Sequence, residues 1–323
     1  ISGLIGGSFG DGGNVMVGIS ASERQAIFAK DRDFYVDGWR DPNNIGGSAF
    51  AYSNMEFASN NRPSAAAYAS IFGAGVAGAG EEVYANPDGT IFINSASKGA
   101  VGYTGPLNDQ YKLAGPGTTN PGVLVDNNLD AIVSTPLERY SMFARANYDI
   151  SDDMSVFMQA NFSHMQVDTL LTWAPATSQW AASIPVDGRA IPAQLKTLLD
   201  SRQNPTANWT LSKSIDFVGP RRTANTTDVF QVMAGLEGNF GDSSWTYEAY
   251  ASHGKTALLT EMLGFPGLQN YRTVVQSPNF GKNLSVGVGP PLFFELKCKT
   301  GLPIFQEFTP SQDCLDAVSG NMK

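Results

Sequence analysis

Charged residues are scarce in this chain of 323 residues. Asp, Glu, Lys and Arg together make up 16% of the sequence, against roughly 25% in an ordinary soluble domain. Long hydrophobic runs are also absent, because no apolar stretch reaches the ~18–20 residues of a transmembrane helix. The formal net charge is −9, with Lys and Arg scattered along the chain. These absences exclude a helical membrane protein and argue against a general nucleic-acid binder.

Metal-binding and redox-active side chains are few. The chain has two histidines, His164 and His253, and two cysteines, Cys298 and Cys314. Without further ligands these residues make a poor zinc site. The cysteines lie in a stretch rich in Gly, Pro, Thr and Ser. In an oxidising compartment they are expected to form one disulfide, and the alternative is two free thiols.

Glycine, hydrophobic and aromatic residues are plentiful by contrast. The chain contains 34 glycines, and 42% of its residues are hydrophobic and 11% aromatic. A disordered chain has few aromatics and high charge, so we expect a folded protein. Low charge, abundant glycine and hydrophobicity without long runs are typical of an outer-membrane β-barrel, whose strands alternate apolar and polar residues.

Three segments alternate apolar and polar residues with the period of two that is typical of β-strands. In the clearest segment, Ser151–Asp153 forms a tight turn between two such runs. We predict β-hairpins near residues 1–24, 140–164 and 228–253, with strands of about ten residues.

The connections that follow these hairpins are long, at residues 25–139, 165–227 and 254–323. Outer-membrane barrels have short turns at one end and long loops at the other, whereas soluble sandwiches usually have short turns at both. Aromatic residues also flank the short turns, where an interfacial girdle belongs; they are Tyr148, Phe240, Trp245 and Tyr247. The pattern predicts an all-β, antiparallel transmembrane barrel segment of about six strands with long extracellular loops. Alternation covering a soluble core is the alternative.

Two short elements are predicted within the long connections. Val83–Ala85 and Thr90–Ile93 flank the turn sequence Asn86–Gly89, which favours a small hairpin. Ile191–Leu199 is predicted to form a short helix with Pro192 in its first turn.

Three motifs resemble enzymatic or metal sites but lack the required context. The G-x-S-x-G motif at Gly6–Gly10 needs a following helix, and turn residues follow it instead. The G-x-G-x-x-G motif at Gly73–Gly78 needs a βαβ unit and is predicted to be a flexible loop. An acidic cluster lacks EF-hand spacing; it contains Asp31, Asp33, Asp37 and Asp41. We therefore predict no catalytic residue, no cofactor and no metal ligand.

Six stretches are informative through their order and their positions relative to the predicted hairpins. They are GDGGNV at 10–15, FAKDRDFY at 28–35, TPLERYSMFARANY at 135–148, GPRR at 219–222, residues 230–255, and CKTGLPIFQEFTPSQDC at 298–314. Together they resemble the TonB-dependent receptors of Gram-negative outer membranes, in particular the large receptors common in sphingomonad and caulobacter-type bacteria.

The resemblance implies an outer-membrane protein whose long loops face the cell exterior. Such a receptor captures a scarce solute and releases it inward when an inner-membrane TonB-type energy transducer pulls on a plug domain. The family barrel has about 22 strands, and no plug domain is recognised in residues 1–323. We therefore expect an interior part of such a barrel, with the remainder of the receptor and outer-membrane lipid as its partners.

Alternation also predicts which polar side chains point into the barrel lumen. They are Arg24, Arg145, Gln159, Glu237 and Glu248. In a complete receptor these residues are expected to contact the plug or a passing substrate; the alternative is that they only hydrate a polar interior.

The function implied by the resemblance is energy-coupled uptake without catalysis. The alternatives are a passive outer-membrane porin or structural barrel, and a soluble all-β hydrolase or binding module in which Ser8 is the candidate nucleophile. The sequence does not specify the transported solute.

Overall fold

The computed structural model describes residues 1–41, 43–44, 53–76, 82–241, 243–288 and 294–320. The strands are β1 (Ser2–Phe9), β2 (Gly13–Arg24), β3 (Ile27–Phe28), β4 (Asn54–Glu56), β5 (Glu82–Ala85), β6 (Ile91–Ser95), β7 (Gly99–Val101), β8 (Tyr111–Ala114), β9 (Gly122–Val125), β10 (Ile132–Ser134), β11 (Leu137–Ser151), β12 (Met154–Leu170), β13 (Ala174–Ala176), β14 (Ala182–Ile184), β15 (Trp209–Ile215), β16 (Arg222–Asn239), β17 (Thr246–Leu263), β18 (Lys282–Val288) and β19 (Phe294–Thr300). The helices are α1 (Asp33–Arg40), α2 (Ala65–Phe72), α3 (Ala193–Asp200), α4 (Leu268–Gln276), α5 (Pro278–Gly281) and α6 (Gln312–Val318). The fold is predominantly β with antiparallel sheets, which confirms that part of the prediction.

The longest strands form one six-stranded antiparallel sheet in the order β1-β2-β11-β12-β16-β17. This order follows the chain, because each predicted hairpin supplies two neighbouring strands. The hairpin turns all lie at one end of the sheet, and the long connections all leave from the other. Among the described strands, β1 and β17 are the two edges, and the sheet does not close into a barrel.

Four strands of this sheet extend well beyond the predicted ten residues. The four strands β11, β12, β16 and β17 have 15, 17, 18 and 18 residues. Residues 165–170, 222–227 and 254–263, assigned to the loops from the sequence, are therefore part of the sheet. In these extensions, polar side chains such as Gln166 and Thr226 occupy the face that is apolar in the rest of the strand. The apolar alternation therefore ends before the backbone hydrogen bonds between the strands do.

The described residues of the three long connections fold together into a second unit, which we call the loop unit; they lie within 25–136, 171–221 and 264–320. Its main sheet has the order β13-β15-β4-β5-β6-β7, with β14 also paired to β15. Strands from the first and second connections are thus hydrogen-bonded neighbours, as in the pairing of β15 with β4. The predicted hairpin is present as β5 and β6, and the predicted helix is present as α3, with Pro192 as its N-cap residue.

The hydrophobic core lies in the loop unit. Its buried side chains come from all three connections; they include Met55, Val83, Leu195, Leu198, Leu211, Tyr271, Val274 and Cys298. In the six-stranded sheet, by contrast, Phe157 is the one buried side chain, with 3% exposure. The connections predicted as loops therefore contain a packed core, because their apolar residues meet only after folding.

No helix in the described ranges is long and apolar enough to cross a membrane.

Candidate functional site

The residues predicted to face the lumen lie on one face of the six-stranded sheet, which we call the polar face. The ladder places Arg145 opposite Gln159 and Glu237 opposite Glu248. Directly opposed residues share a face and side chains alternate along a strand, so these four side chains share one side. Arg24 is opposite Leu137 and lies on the same side.

Arg145 and Glu237 form the central contact of the polar face. The Arg145 Nη2 atom lies 3.3 Å from Glu237 Oε1 and 3.4 Å from Oε2. The Arg145 guanidinium also lies 5.0 Å from the centroid of the Phe157 ring. Gln159 lies beside them and Glu248 is exposed opposite Glu237. The cluster around Arg145 on the polar face therefore combines one cation with two carboxylates and an amide.

Arg24 does not belong to this cluster. Its Nε donates to the Thr135 carbonyl oxygen at 2.8 Å. The ladder separates it from Arg145 by eight residues along β11, which corresponds to about 26 Å. Arg24 thus fastens the connection that leads into β11, at the loop end of the sheet.

The opposite face of the sheet, which we call the apolar face, is uncovered by the described residues. Eight of its large side chains keep between 38% and 58% of their surface exposed: Val15, Ile19, Met142, Ile150, Met158, Phe162, Phe230 and Leu236. The ladder joins Ile19, Met142 and Phe162 into a continuous row across three strands. Monomeric soluble proteins rarely expose a contiguous apolar surface of this kind.

Aromatic and polar residues border the apolar face at its two ends. Near the short turns, Phe9 stacks on Tyr148 with ring centroids 6.2 Å apart, and Phe240 meets Tyr247 at 5.0 Å. At the loop end, His164 Nδ1 lies 2.7 Å from Asp228 Oδ1. The apolar face is thus bordered by aromatic rings at the turn end and by polar side chains at the loop end.

A third candidate site, which we call the polar cleft, is lined by residues of the loop unit, and at Arg221 it reaches the residue before β16. Its volume is about 490 Å³, within the usual range for ligand pockets. It is lined by Asn54, Glu56, Glu82, Asn127, Thr172, Trp173, Pro175, Thr177, Ser178, Ser212, Ser214 and Arg221. Sequence analysis missed these residues, because they come from separate segments that only the pairing of β4, β5 and β15 brings together.

The strand register explains why the floor of the polar cleft is polar. Ser212 is opposite Asn54, and Asn54 is opposite Tyr84, so these side chains share one face of the loop-unit sheet. The alternate residues, such as Met55 and Leu211, point into the hydrophobic core. The sheet thus separates the core from the cleft.

Acidic side chains set the electrostatics at one end of the cleft. The Tyr84 hydroxyl donates to the Glu82 carboxylate. Burial raises the pKa of Tyr84 well above its ordinary value, and the negative charges of Glu82 and Glu56 raise it further. Tyr84 therefore stays a neutral hydrogen-bond donor.

Arg221 holds the other end of the cleft. Its Nε atom donates to the Thr172 carbonyl oxygen at 2.8 Å. The Arg221 carbonyl oxygen in turn accepts from the Leu171 amide at 2.8 Å. These bonds fix the segment that carries Trp173 against the start of β16.

Cys298 and Cys314 are joined by a disulfide and lie in the hydrophobic core. The bridge ties β19 to α6, away from the polar cleft. The disulfide therefore has a structural role, in the hydrophobic core.

The three motifs that lack an enzymatic or metal-binding context in the sequence lie in strands, turns and short helices of the structure. Ser8 is in β1 and is followed by a turn rather than a helix. Gly73–Val76 follows α2 as a turn, while residues 77 and 78 of that motif lie outside the described residues. In the acidic cluster, Asp31 accepts from the Phe28 amide at 3.1 Å and Asp41 accepts from the Asn43 amide at 2.8 Å.

Comparison with known proteins gives no relative: no family model matches the chain, and no curated protein or solved structure is significantly similar to it.

Proposed function

We propose that this chain forms part of the barrel wall and outer loops of a TonB-dependent receptor, which takes up a scarce solute across a Gram-negative outer membrane. The observation that carries the proposal is the uncovered apolar face of the six-stranded sheet. That face is continuous across the strands and bordered by aromatic residues at the short turns. In water such a surface is unfavourable, whereas lipid would cover it.

The dimensions of the apolar face support a membrane location. On β11 the apolar side chains run from Tyr140 to Ile150, ten steps of ~3.3 Å and therefore about 33 Å along the strand. With the strand tilt of about 40° found in outer-membrane barrels, the height of the band is about 25 Å. This equals the usual height of the lipid-facing band in such barrels.

The free edges of the sheet support a larger assembly. Both β1 and β17 have one neighbouring strand among the described residues, and unpaired backbone groups are costly in a bilayer. We propose that further strands of the same receptor pair with both edges and close the wall. The polar face then lines the lumen, where Arg145, Gln159 and Glu237 are available to a plug domain or a passing solute.

The arrangement of the two units gives the proposed orientation. The hairpin turns at one end are short, as on the periplasmic side of outer-membrane barrels, and the loop unit lies at the other. The loop unit would thus face the cell exterior, where solute capture takes place. The inner-membrane energy transducer would act from the periplasmic side.

Membrane fractionation of the full-length source protein tests the membrane location. We expect it in the outer-membrane fraction, with faster gel migration before boiling than after, because closed barrels resist detergent at room temperature. A soluble protein whose mobility does not change on boiling would refute the proposal.

Conductance in planar lipid bilayers separates the receptor from the passive porin. A receptor with a plug is expected to show no steady conductance in KCl, since the plug fills the lumen. Steady open channels would favour the porin instead.

A further inference from the structure

The floor of the polar cleft contains two polar atoms without partners. Asn54 is 4% exposed and Ser212 is 1% exposed, and they are directly opposite each other on β4 and β15. Asn54 Oδ1 and Ser212 Oγ are buried, and neither has a hydrogen-bond partner. A buried polar atom without a partner costs free energy. Their position on the cleft face of the sheet places the missing partner on the cleft side.

Both residues line the cleft, and their polar atoms are at the ends of short, rotatable side chains. The Ser212 hydroxyl turns about a single bond, and the Asn54 amide about two. The serine hydroxyl donates or accepts, while Asn54 Oδ1 only accepts. A ligand that satisfies both must therefore donate a hydrogen bond to Asn54 Oδ1, and it either donates to or accepts from the Ser212 hydroxyl.

The walls of the cleft offer the same mixture. Glu56 and Glu82 supply acceptors, and the hydroxyls of Thr172 and Thr177 supply donors or acceptors. Arg221 adds one cation, so the two carboxylates are partly balanced. A lining that mixes hydroxyl, amide and carboxylate groups with one cation suits a ligand with many hydroxyl groups better than a strongly charged one.

Trp173 supplies the apolar part of the site. Its half-buried indole lines the polar cleft, and it also lines a neighbouring pocket of about 450 Å³. Sugar rings present a flat C–H surface on one side and hydroxyls around the rim. An aromatic ring that lines a cleft beside hydrogen-bonding side chains matches both parts of such a molecule.

We propose that the polar cleft binds a neutral oligosaccharide, with Trp173 stacking on one sugar ring and Asn54 and Ser212 hydrogen-bonding to its hydroxyls. The role of this site as the capture site for uptake rests on the proposed function. The binding itself depends only on the geometry of the cleft.

Titration calorimetry on the purified full-length protein tests this inference. The neutral ligands are xylotetraose, maltotetraose, cellotetraose and laminaritetraose, and spermine serves as a cationic ligand of similar length. We expect saturable binding of at least one tetrasaccharide and weaker binding of spermine. The absence of binding by all four sugars, or a preference for spermine, would overturn the inference.

The Ser212→Ala variant tests the site itself. Removing the hydroxyl should weaken binding of the tetrasaccharide about tenfold, the effect of one lost hydrogen bond. The melting temperature should stay unchanged or rise, because a buried hydroxyl without a partner is removed. Unchanged affinity in this variant would contradict the assignment.

Thr210→Ala is the matched control. Thr210 lies on β15, two residues from Ser212 and on the same face, but it does not line the cleft. The affinity of the Thr210→Ala variant for the tetrasaccharide should equal that of the natural protein. Trp173→Ala should weaken binding at least fivefold through the lost stacking.

The two proposals fail in different ways. If the protein binds a tetrasaccharide but fractionates as a soluble protein, the cleft assignment stands and the receptor is refuted. If it is a heat-modifiable outer-membrane protein without sugar affinity, the receptor proposal stands and the cleft assignment is refuted.

Discussion

At the residue scale, Arg189 is a buried cation of the loop unit that is paired with a carboxylate. Its side chain is 2% exposed. Its Nε and Nη2 atoms donate to the two oxygens of Asp187, both at 2.8 Å. Its remaining donors reach the carbonyl oxygens of Val275 at 2.9 Å and Gln276 at 2.8 Å. The guanidinium thus ties the segment before α3 to the end of α4.

The Arg189 contact predicts how the stability of the loop unit depends on pH. Hydrogen bonds from Arg189 hold the pKa of Asp187 below its usual value. The native state therefore binds fewer protons than the unfolded state, so the contribution of Asp187 is complete above the unfolded pKa and decreases as pH falls through the native one. We expect the free energy of unfolding, measured in urea by tryptophan fluorescence, to decrease below about pH 4.

The Asp187→Asn variant separates the contribution of Asp187 to this pH dependence from the contributions of the other carboxylates. At neutral pH it should lower the free energy of unfolding by about 2 kcal/mol, because a charge-assisted bidentate contact is lost. Below pH 4 the difference from the natural protein should shrink, since protonation removes the same contact there. A difference that is constant between pH 3 and pH 7 would contradict the assigned role.

At the element scale, the disulfide fixes how β19 and α6 pack on the core. Cys298 and Cys314 are 16 residues apart, and closing a loop of this length stabilises a fold by about 3 kcal/mol in the chain-entropy model. The double variant Cys298→Ala, Cys314→Ala should lose about this amount in urea unfolding of the loop unit. The six-stranded sheet lies outside this loop, so heat-modifiable migration should persist in the variant. If the variant lost heat-modifiable migration as well as stability of the loop unit, the disulfide would also be needed for assembly of the barrel wall.

A second prediction at this scale concerns Gly235 in β16. A Cβ atom there would lie 2.5 Å from the Ala249 carbonyl oxygen and 2.8 Å from the Phe157 ring. Phe157 thus occupies the space over the glycine, which explains why it is buried on the polar face. Gly235→Val should displace this ring and destabilise the sheet by about 1–3 kcal/mol, measured as a smaller heat-modifiable fraction.

Gly7 supplies the control for this substitution. It also lies in the six-stranded sheet, and a Cβ atom there meets nothing within 4 Å. Gly7→Val should leave the heat-modifiable fraction unchanged. Equal losses at both positions would mean that any side chain larger than glycine disturbs these strands.

How far the sequence predicts these elements depends on the distance between the residues involved. Alternation is local, so all six long strands could be predicted, although their ends could not, because polar residues such as Gln166 continue the ladder without the apolar signal. The core of the loop unit depends on contacts between distant segments, as between Met55 and Leu211. The floor of the polar cleft has the same origin, since Asn54 and Ser212 are neighbours only through strand pairing.

At the scale of the whole molecule, packing is divided between the two units. The loop unit has a core of its own, stabilised by helices and a disulfide. The six-stranded sheet has an extensive hydrogen-bond ladder but little side-chain burial. In the proposed receptor, lipid and further strands would supply the burial that the sheet lacks. The direction in which each face points therefore decides which substitutions the wall tolerates.

Neighbouring residues on β12 test this division. Met158 lies on the apolar face with 57% exposure, and Gln159 follows it on the polar face. Met158→Lys places a charge in lipid and should cost about 2–4 kcal/mol near the bilayer midplane. Gln159→Lys places the same charge in the aqueous lumen and should cost less than about 1 kcal/mol. Urea unfolding of the full-length protein in lipid vesicles measures both values. Similar costs at the two positions would show that lipid does not cover the apolar face, because a lipid layer penalises the charge at residue 158 and not the charge at residue 159.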